Sequence, residues 1–400
     1  MKIERQPLNF HGLLYMPIIK RKYFINQLQK ALNVHSVIAL LGPRQCGKTT
    51  LVKQFASLNK SRSKIHHFDL EDPDHLAKLD APKLALENLL GFIVIDEIQR
   101  QPELFPLLRV LVDQHKKRKF LILGSASRDL IKQSSETLAG RIRYIEVTPF
   151  SYSEVGNINK LWFRGGFPNS YLAKKDQNSN DWRAAYITTF LEQDIPNLGI
   201  QIPARTLRRF WMMLAHYHGN LFNASEIGAS LGIAHTTARH YLDILTGTFM
   251  IRELPPWIEN IDKRQIKSPK IYFRDSGIFH SLLGIHDLHT LQNHPKLGAS
   301  WEGFALEEII RAHHAAPEEC YFWGIHNQGE LDLLIIKNGK RLGFEFKYSD
   351  APKLTPSMQL AQDILKLDQL TVIYPGNSHY HLTTIIKVIG LEKYLKQNSR

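Results

Sequence analysis

Residues 42–49 read Gly42-Pro43-Arg44-Gln45-Cys46-Gly47-Lys48-Thr49, and they directly follow the apolar run Val37 to Leu41. The stretch matches the spacing G-x-x-x-x-G-K-[ST], in which a strand leads into a glycine loop and then into a helix. Backbone N–H groups of such a loop wrap around phosphates, the lysine reaches the β and γ oxygens, and the hydroxyl ligates Mg²⁺. The positive end of the helix that starts near Lys48 favours the same anion. We therefore predict that residues 42–49, together with Thr50, bind a nucleoside triphosphate.

A second apolar run, Phe92-Ile93-Val94-Ile95, ends in the adjacent carboxylates Asp96 and Glu97. This pattern is typical of a parallel strand that is buried on both faces and presents acids at its C-terminal edge. Asp96 is the candidate for holding Mg²⁺, usually through water, and Glu97 for orienting or deprotonating the water that attacks the γ-phosphate. A carboxylate in that second position favours hydrolysis. The alternative is an ordinary turn and a core strand with a solvated acidic end.

A third strand is predicted over Phe120 to Gly124, and it presents Ser125 at its end. Considered alone, Ser125 is a loop residue that caps the next turn. Beside the two preceding motifs, it becomes the candidate for sensing the γ-phosphate. Because the sequence has no Asn-Lys-x-Asp string of the kind that reads guanine, ATP is the expected nucleotide.

Together, the phosphate loop, the pair Asp96-Glu97 and the strand that ends at Gly124-Ser125 resemble the core of AAA+ ATPases. The resemblance spans most of the chain, through Leu138-Ala139-Gly140-Arg141, Pro149-Phe150-Ser151, Gly165-Gly166-Phe167-Pro168, Tyr272-Phe273-Arg274-Asp275-Ser276-Gly277 and Glu345-Phe346-Lys347. It implies a prokaryotic AAA-type ATPase joined to a winged-helix segment and a C-terminal restriction-endonuclease-like module.

The resemblance also implies a homo-oligomer, because an arginine from the neighbouring subunit usually completes an AAA-type site. Arg141 and Arg143 are the candidates near the end of the core, although each also fits an ordinary surface arginine. Arg44, inside the phosphate loop, is expected to face solvent or DNA rather than the catalytic centre.

The order of elements predicts an α/β protein in three parts. An amphipathic helix to about residue 34, with Phe24, Leu28 and Leu32 on one face, leads into alternating strands and helices that predict a parallel sheet covered on both faces. The predicted strands are 36–41, 65–70, 92–96, 120–124 and 142–147. The predicted domains are a P-loop ATPase domain (1–155), a mainly helical winged-helix region (156–265) and an α+β nuclease-like domain (266–400). The polar stretch 174–180 is expected to be an exposed loop.

Composition sets the compartment and the class of partner. With 43% hydrophobic and 22% charged residues the chain has the composition of a soluble globular protein. No apolar run approaches the roughly 18 residues that are needed to cross a membrane. The only cysteines, Cys46 and Cys320, do not make a disulfide framework, which favours the reducing cytoplasm. The net charge of +13 favours a polyanionic partner such as DNA.

Residues 223–251 predict two helices around a glycine turn. Asn223-Ala224-Ser225-Glu226 is a helix start, and Gly232 closes that helix. The apolar face of the second helix carries Ala238, Tyr241, Leu242 and Leu245, and its outer face carries Thr236, Arg239, His240 and Asp243. With the strand-like residues 249–251, this order resembles a winged helix-turn-helix, which implies a helix in the DNA major groove. The same unit also serves for packing or oligomerisation, and Asp243 would repel phosphate.

Near the C-terminus, Asn338-Gly339 lies between two apolar-rich runs and predicts a hairpin whose two-residue turn pairs Lys337 with Lys340. Counting back from that pair sets Asp332 opposite Glu345 on one face of the hairpin. Opposed Cβ atoms lie about 4.5 to 5.5 Å apart. The two carboxylates would therefore repel each other unless a cation or a proton offsets them.

The same count sets Glu330 opposite Lys347. Carboxylate oxygens of Asp332 and Glu345 suit Mg²⁺ or Mn²⁺, and Lys347 would polarise a phosphate or an attacking water. The arrangement resembles the PD-(D/E)XK nuclease core, in which a glutamate on the preceding helix often completes the site, and Glu302 is the matching candidate. The alternative is an ordinary charged face in which Lys347 bridges the acids and Glu302 is a surface acid.

Two functions from different classes follow from these predictions. In the first, the chain is an ATP-hydrolysing enzyme that acts on DNA, and its C-terminal module cuts or clamps nucleic acid under control of the nucleotide. In the second, ATP only sets a conformation, the winged helix binds DNA or a protein, and the nuclease-like fold is an inactive scaffold.

Overall fold

The computed structural model describes residues 18–59, 64–115, 117–126, 137–258 and 266–398. Within these ranges the strands form a five-stranded, a two-stranded and a six-stranded sheet. The predicted lead-in helix lies over Lys22–Val34, with Phe24, Leu28 and Leu32 buried. The part of that prediction that falls before residue 18 lies outside the described residues.

The first sheet contains the strands predicted for the ATPase core. They are β1 (Val37–Leu41), β2 (Ile65–Asp69), β3 (Gly91–Asp96), β4 (Arg118–Gly124) and β5 (Ile142–Glu146). All neighbours are parallel, in the order β2-β3-β4-β1-β5. The parallel sheet is therefore confirmed. Because β4 lies between β1 and β3, the C-terminal ends that lead to the phosphate loop, to the acidic pair and to Ser125 are adjacent.

Successive apolar side chains of these strands point to opposite faces of the sheet. Both faces are therefore apolar, and helices cover each of them. Ile38 and Leu40 share one core with residues of the first two helices, whereas Val37 and Ala39 face a second core on the opposite side. The helices of this part are α1 (Lys22–Val34), α2 (Lys48–Asn59), α3 (Pro73–Lys78), α4 (Pro82–Leu86) and α5 (Leu104–Gln114).

A mainly helical region follows the sheet. Its helices are α6 (Tyr152–Val155), α7 (Ile158–Arg164), α8 (Pro168–Tyr171), α9 (Asp176–Thr189), α10 (Ile195–Asn197), α11 (Ala204–His216), α12 (Ala224–Leu231) and α13 (His235–Gly247). One π-helical turn, Phe190–Asp194, lies between α9 and α10. Among the described residues, no helix is both long enough and apolar enough to cross a membrane.

The prediction of an exposed loop over residues 174–180 is wrong, because helix α9 begins within that stretch. Ser179 and Asn180 are buried rather than exposed. The Ser179 hydroxyl lies 2.7 Å from the hydroxyl of Ser170, and the Asn180 amide donates to the carbonyl of His286 at 2.7 Å. These polar side chains are buried because hydrogen-bond partners from other segments satisfy them.

The predicted helix pair is present at α12 and α13. The side chain of Asn223 accepts a hydrogen bond from the backbone of Glu226 at 3.2 Å, and Gly232 ends α12 in the left-handed conformation. Two antiparallel strands, β6 (Ile251–Leu254) and β7 (Lys270–Phe273), complete this region.

The C-terminal part combines helices with the six-stranded sheet. The strands are β8 (Cys320–Ile325), β9 (Gly329–Lys337), β10 (Lys340–Phe346), β11 (Gln369–Tyr374), β12 (His379–His381) and β13 (Ile386–Gly390). Their order is β12-β13-β11-β10-β9-β8. The helices are α14 (Ser276–Leu282), α15 (Leu288–Gln292), α16 (Leu297–Ala312), α17 (Pro356–Leu365) and α18 (Leu391–Asn398).

The hairpin of β9 and β10 has the predicted register. Lys340 pairs with Lys337, and the ladder continues to Phe344 opposite Leu333, so Asp332 and Glu345 come next. The turn residues Asn338 and Gly339 both have positive φ angles, of 52° and 75°. A two-residue turn of this kind requires both, which is why the Asn-Gly pair fixes the register.

Candidate functional site

The glycine loop between β1 and α2 has the close backbone packing that its sequence requires. A Cβ atom on Gly42 would lie 2.1 Å from the carbonyl oxygen of Val147, so no larger residue fits there. Gly47 has a φ angle of 100°, which favours glycine. The Cys46 thiol is buried and contacts the same Val147 carbonyl at 3.2 Å. The loop is therefore held tightly against the end of β5.

The two polar side chains after Gly47 point to the loop and to the acidic end of β3. Lys48 is 5% exposed, and its ammonium donates to the carbonyl oxygens of Gly42 and Pro43 at 2.9 and 3.0 Å. Its charge therefore lies over the loop. The Thr49 hydroxyl donates to Oδ2 of Asp96 at 2.7 Å. The Thr49 hydroxyl and the Asp96 carboxylate are adjacent oxygen groups, and Mg²⁺ prefers oxygen ligands of this kind.

Burial raises the pKa of Asp96, and the hydrogen bond from Thr49 offsets part of that increase. Bringing a divalent cation to this carboxylate would favour its ionised form.

Glu97, Gln99 and Ser125 form a hydrogen-bonded group beside Asp96. The Gln99 amide donates to Glu97 and, at 3.1 Å, to the Ser125 hydroxyl, which itself donates to Glu97 at 3.3 Å. Glu97 has a left-handed φ angle of 54°, a conformation that is uncommon outside glycine. The structure therefore brings together Glu97 and Ser125, which were predicted from sequence, and adds Gln99, which no sequence motif indicated.

Arg44 is partly exposed, in line with the prediction, and its guanidinium also contacts acids of the same chain. Its guanidinium forms ion pairs with Glu71, at 2.7 Å, and with Asp194 of the π-helical turn. The phosphate loop is thereby linked to the helical region through an extended side chain.

Arg21, which sequence reasoning missed, anchors the loop from the other side. This residue is 3% exposed, and its guanidinium donates to the carbonyl of Cys46 at 3.2 Å and to that of Thr148 at 2.9 Å. Its charge is balanced by Glu154 at 2.6 Å. Its only sequence signal is an arginine just before a helix, which is too common to single out.

Three motifs that carry the resemblance meet in one junction near the loop. The backbone N–H of Phe150 donates to the carbonyl of Gly166 at 2.7 Å, and the N–H of Gly166 donates to Asp275 at 2.7 Å. A Cβ atom on Gly277 would lie 2.2 Å from the carbonyl oxygen of Arg164. The glycines are therefore required by close backbone contact between the segments.

The candidate arginines of the core lie at the opposite end of β5 from the loop. The carbonyl of Arg141 accepts a hydrogen bond from Val37, the first residue of β1, whereas Leu41 at the end of β1 pairs with Glu146. The guanidinium of Arg141 is paired with Asp113 at 2.7 Å, and Arg143 is exposed. Neither side chain is therefore part of the candidate nucleotide site of its own chain.

On the outer face of α13, the positive charge of Arg239 is neutralised by acids of the same chain. Arg239 forms ion pairs with Asp243 and with Glu253 of β6, both at 2.6 Å. Thr236 and His240 are exposed beside it. The face is therefore mixed in charge rather than basic.

The C-terminal module gathers a second group of charged residues. Glu302 lies on α16, Asp332 on β9 and Glu345 on β10, and they are all buried or nearly so. Lys347 contacts Glu345 at 2.8 Å. The backbone N–H of Phe346 donates to Asp332 at 3.0 Å. The predicted site residues of this module therefore come together.

Strand β7 adds two residues to this carboxylate cluster. The ammonium of Lys270 contacts Glu330 at 2.9 Å and Asp332 at 3.7 Å. The Tyr272 hydroxyl donates to Glu302 at 2.6 Å. Glu330 thus takes Lys270 as its partner, where sequence reasoning had set it opposite Lys347.

Burial and the nearby Asp332 raise the pKa of both Glu302 and Glu345 well above the usual range. Burial alone would lower the pKa of Lys270, but the surrounding acids, Asp332 first, raise it, so this ammonium stays charged. Across the described ranges, no group of three or more His, Cys, Asp or Glu side chains is arranged to hold a metal ion. In this arrangement the cluster does not fit the predicted second Mg²⁺ or Mn²⁺, and lysines supply the positive charge.

Comparison with known proteins divides the chain into three matched segments. Residues 34–156 match the family described as AAA domain. Residues 155–289 and 297–394 match two families described as domains of unknown function, DUF8612 and DUF4143. The phosphate loop, the acidic pair and Ser125 all lie in the first segment.

Among solved structures, the Walker-type ATPase PABY2304 of Pyrococcus abyssi is similar to 67% of this chain and 96% of its own, with 16% identity and a TM-score of 0.47. The AMPPCP-bound DnaA of Aquifex aeolicus is similar over 55% of this chain and 86% of its own, with 11% identity and a TM-score of 0.26.

Two mycobacterial sequences are much more similar. They are Uncharacterized protein Rv2008c of Mycobacterium tuberculosis and Uncharacterized protein Mb2031c of Mycobacterium bovis. Each is 46% identical over 385 residues, which is 96% of this chain and 86% of the relative. The chain therefore belongs to the same protein family as these two proteins, and it contains an AAA-type ATPase domain with a phosphate loop.

Proposed function

We propose that the chain binds ATP with Mg²⁺ and hydrolyses it. The observation that carries the proposal is the convergence of three sets of side chains at the adjacent ends of β1, β3 and β4. These sets are Lys48 over the loop, the Thr49 and Asp96 pair, and Glu97 with Ser125. A cation for phosphate, an oxygen pair for Mg²⁺ and a carboxylate for water are the parts that phosphoryl transfer to water requires.

Each residue has a separate task in this proposal. Backbone N–H groups of residues 42–49 and the ammonium of Lys48 bind the phosphates. Mg²⁺ held by Thr49 and Asp96 would offset the charge of the phosphate oxygens. Glu97 orients the attacking water and accepts its proton, while the Ser125 hydroxyl reports on the γ-phosphate.

Phosphate release by the parent chain, Lys48→Ala and Glu97→Gln tests these roles. Lys48→Ala should bind ATP at least about tenfold more weakly. Glu97→Gln should still bind ATP but hydrolyse it about 10² to 10⁴ times more slowly, as expected for loss of a general base. Glu103→Gln is the matched control, since Glu103 is an exposed glutamate just before α5. Hydrolysis that is unchanged in Glu97→Gln would remove that residue from its proposed role.

We further propose that the chain acts with DNA in the cytoplasm, as a homo-oligomer. The net charge of +13 supports a polyanionic partner, and the buried free thiols of Cys46 and Cys320 suit a reducing compartment. The pairing of Arg239 with two acids argues against direct phosphate contact by α13, as a winged helix would make. Phosphate release with and without DNA, at several salt concentrations, separates a DNA-stimulated ATPase from a nucleotide switch that binds another protein.

Metal-dependent cleavage of DNA is the second proposed function, and it requires the cluster to take an arrangement other than the one described, in which no group suited to a metal ion is found among the described residues. Its support is the meeting of Asp332, Glu345 and Lys347 with Glu302 from a separate helix, in a module that resembles the PD-(D/E)XK core. DNA cleavage in Mn²⁺ by the parent chain and by Asp332→Asn tests it. If Asp332→Asn left the observed cleavage unchanged, the cluster would not be its active site.

A further inference from the structure

The outer face of helix α11 carries a basic stripe. Its exposed residues are Arg205, Arg208, Arg209, Met212 and His216. They follow the spacing i, i+3, i+4, i+7 and i+11, which places all of them on one face of an α-helix. The opposite face holds the helix on the hydrophobic core, and its buried residues are Leu207, Phe210, Trp211, Leu214 and Ala215. The stripe is therefore a fixed surface rather than a mobile tail.

The arginines of the basic stripe have no acids of their own chain as partners. Residues 195–225, which contain α11 and the segments on both sides of it, include neither Asp nor Glu. Across the part of the chain that the structure describes, Arg205, Arg208 and Arg209 form no ion pair. Arg208 donates to the Thr188 hydroxyl at 2.7 Å, a neutral partner that leaves its charge in place. The positive charge of the stripe is therefore open to a partner outside the chain.

Helix α13 differs from α11 in this respect. On α13, Arg239 is paired with Asp243 and with Glu253, so little of its charge reaches an outside phosphate. On α11, Arg205 and Arg209 lie one helical turn apart, about 6 Å along the axis, and both are unpaired among the described residues. Of the two helices, α11 is therefore the one that presents a surface complementary to a row of negative charges.

The make-up of the basic stripe favours DNA over a membrane or a protein. The apolar face of α11 packs on the core, so the helix has no apolar face to insert into a bilayer. A protein interface usually has an apolar centre, whereas Met212, which is 44% exposed, is the one large apolar side chain of the stripe. Guanidinium groups match phosphate oxygens through two parallel N–H donors, and duplex DNA carries a negative charge about every 1.7 Å along its axis.

We propose that the chain holds the phosphate backbone of DNA on the outer face of α11, through Arg205, Arg208 and Arg209. Contacts of this kind position a protein on DNA but carry no sequence information. The proposal names the surface for the action with DNA proposed above, and it rests on that function. It requires neither a base contact by α13 nor DNA cleavage by the C-terminal module.

Binding of the full chain to a fluorescently labelled DNA duplex, measured by anisotropy at several salt concentrations, tests the proposal. The α11 variant combines Arg205→Gln, Arg208→Gln and Arg209→Gln. The matched control removes the same number of positive charges from exposed positions of α1 and α5, through Lys22→Gln, Lys30→Gln and Arg109→Gln.

The α11 variant should bind DNA at least about tenfold more weakly than the parent, because charge-assisted contacts are lost. Each phosphate contact contributes about 0.9 to the slope of log K against log salt, so this slope should become shallower by about 3. The control should keep the slope of the parent. Should the α11 variant unfold, its three single substitutions replace it, and each should change the slope by about 1.

Equal affinities and slopes for the parent and the α11 variant would overturn the proposal and leave DNA binding by the chain intact. Equal losses in the α11 variant and in the control would also overturn it, because net charge alone would then explain the binding. Polyglutamate that binds the parent as tightly as DNA does, with the same loss in the α11 variant, would assign the stripe to an acidic protein instead. If the parent bound no DNA even at low salt, the proposed action with DNA would fail together with this surface.

Discussion

The junction beside the phosphate loop makes a sharp prediction for Gly277. An alanine there would place its Cβ atom 2.2 Å from the carbonyl oxygen of Arg164, more than 1 Å inside an ordinary contact. That oxygen also accepts a hydrogen bond from Ser170 at 2.6 Å, so moving it away weakens a buried polar contact. Overpacking costs roughly 1 to 3 kcal/mol and a lost hydrogen bond about 1 kcal/mol more, so we expect Gly277→Ala to destabilise the fold by about 3 kcal/mol.

Thermal unfolding followed by tryptophan fluorescence measures this effect, because Trp162 lies on the helix that ends at Arg164. A loss of about 3 kcal/mol should lower the midpoint by roughly 5 to 10 °C for a domain of this size. Gly298→Ala is the control, since a Cβ atom there meets nothing within 4 Å and the site is helical. It should be neutral or stabilising by up to about 1 kcal/mol. Equal midpoints for the two variants would refute the predicted backbone clash.

Two further predictions concern buried groups. The Cys46 thiol should react with iodoacetamide far more slowly in the folded protein than after unfolding, because it is buried and burial raises its pKa. Peptide mass spectrometry detects the labelling, and full labelling of Cys46 in the folded protein would contradict this prediction. For Glu307, burial alone would raise the pKa, but Arg252 and Arg274 lower it to about 2 from an ordinary 4.5. At pH values above 4.5, the ionised carboxylate therefore contributes about 3 kcal/mol to the free energy of unfolding. This contribution is lost as the pH falls toward 2. The difference in unfolding midpoint between the parent and Glu307→Gln should thus shrink between neutral pH and about pH 3, and a constant difference would count against the ion pairs.

The parts of the fold that were predictable from sequence have local causes. Strands β1, β3 and β4 contain continuous apolar runs that end at glycine or acidic residues, whereas β2 and β5 carry polar residues between their apolar ones. The structure places all five within two residues of their predicted bounds. The register of the C-terminal hairpin follows from Asn338 and Gly339, because their positive φ angles fix a two-residue turn. The proximity of Asp332 and Glu345 then follows by counting.

The parts that were not predictable depend on partners that are distant in sequence. Lys270 lies 60 residues before Glu330, and nothing in its own segment signals a buried lysine. Ser179 and Asn180 belong to a polar run typical of a loop, yet hydrogen bonds to other segments allow their burial. The same holds for Arg21, because two of its partners, Thr148 and Glu154, lie more than 100 residues away.

The central claim is that the loop over residues 42–49 binds the phosphates of ATP through Lys48. Isothermal titration calorimetry of the folded chain with ATP and Mg²⁺ tests it most directly, with Lys48→Ala as the comparison. We expect saturable binding by the parent chain and a loss of affinity of at least about tenfold in Lys48→Ala, because a charge-assisted contact to phosphate is removed. No heat at millimolar ATP, or equal affinities for the two proteins, would contradict the claim.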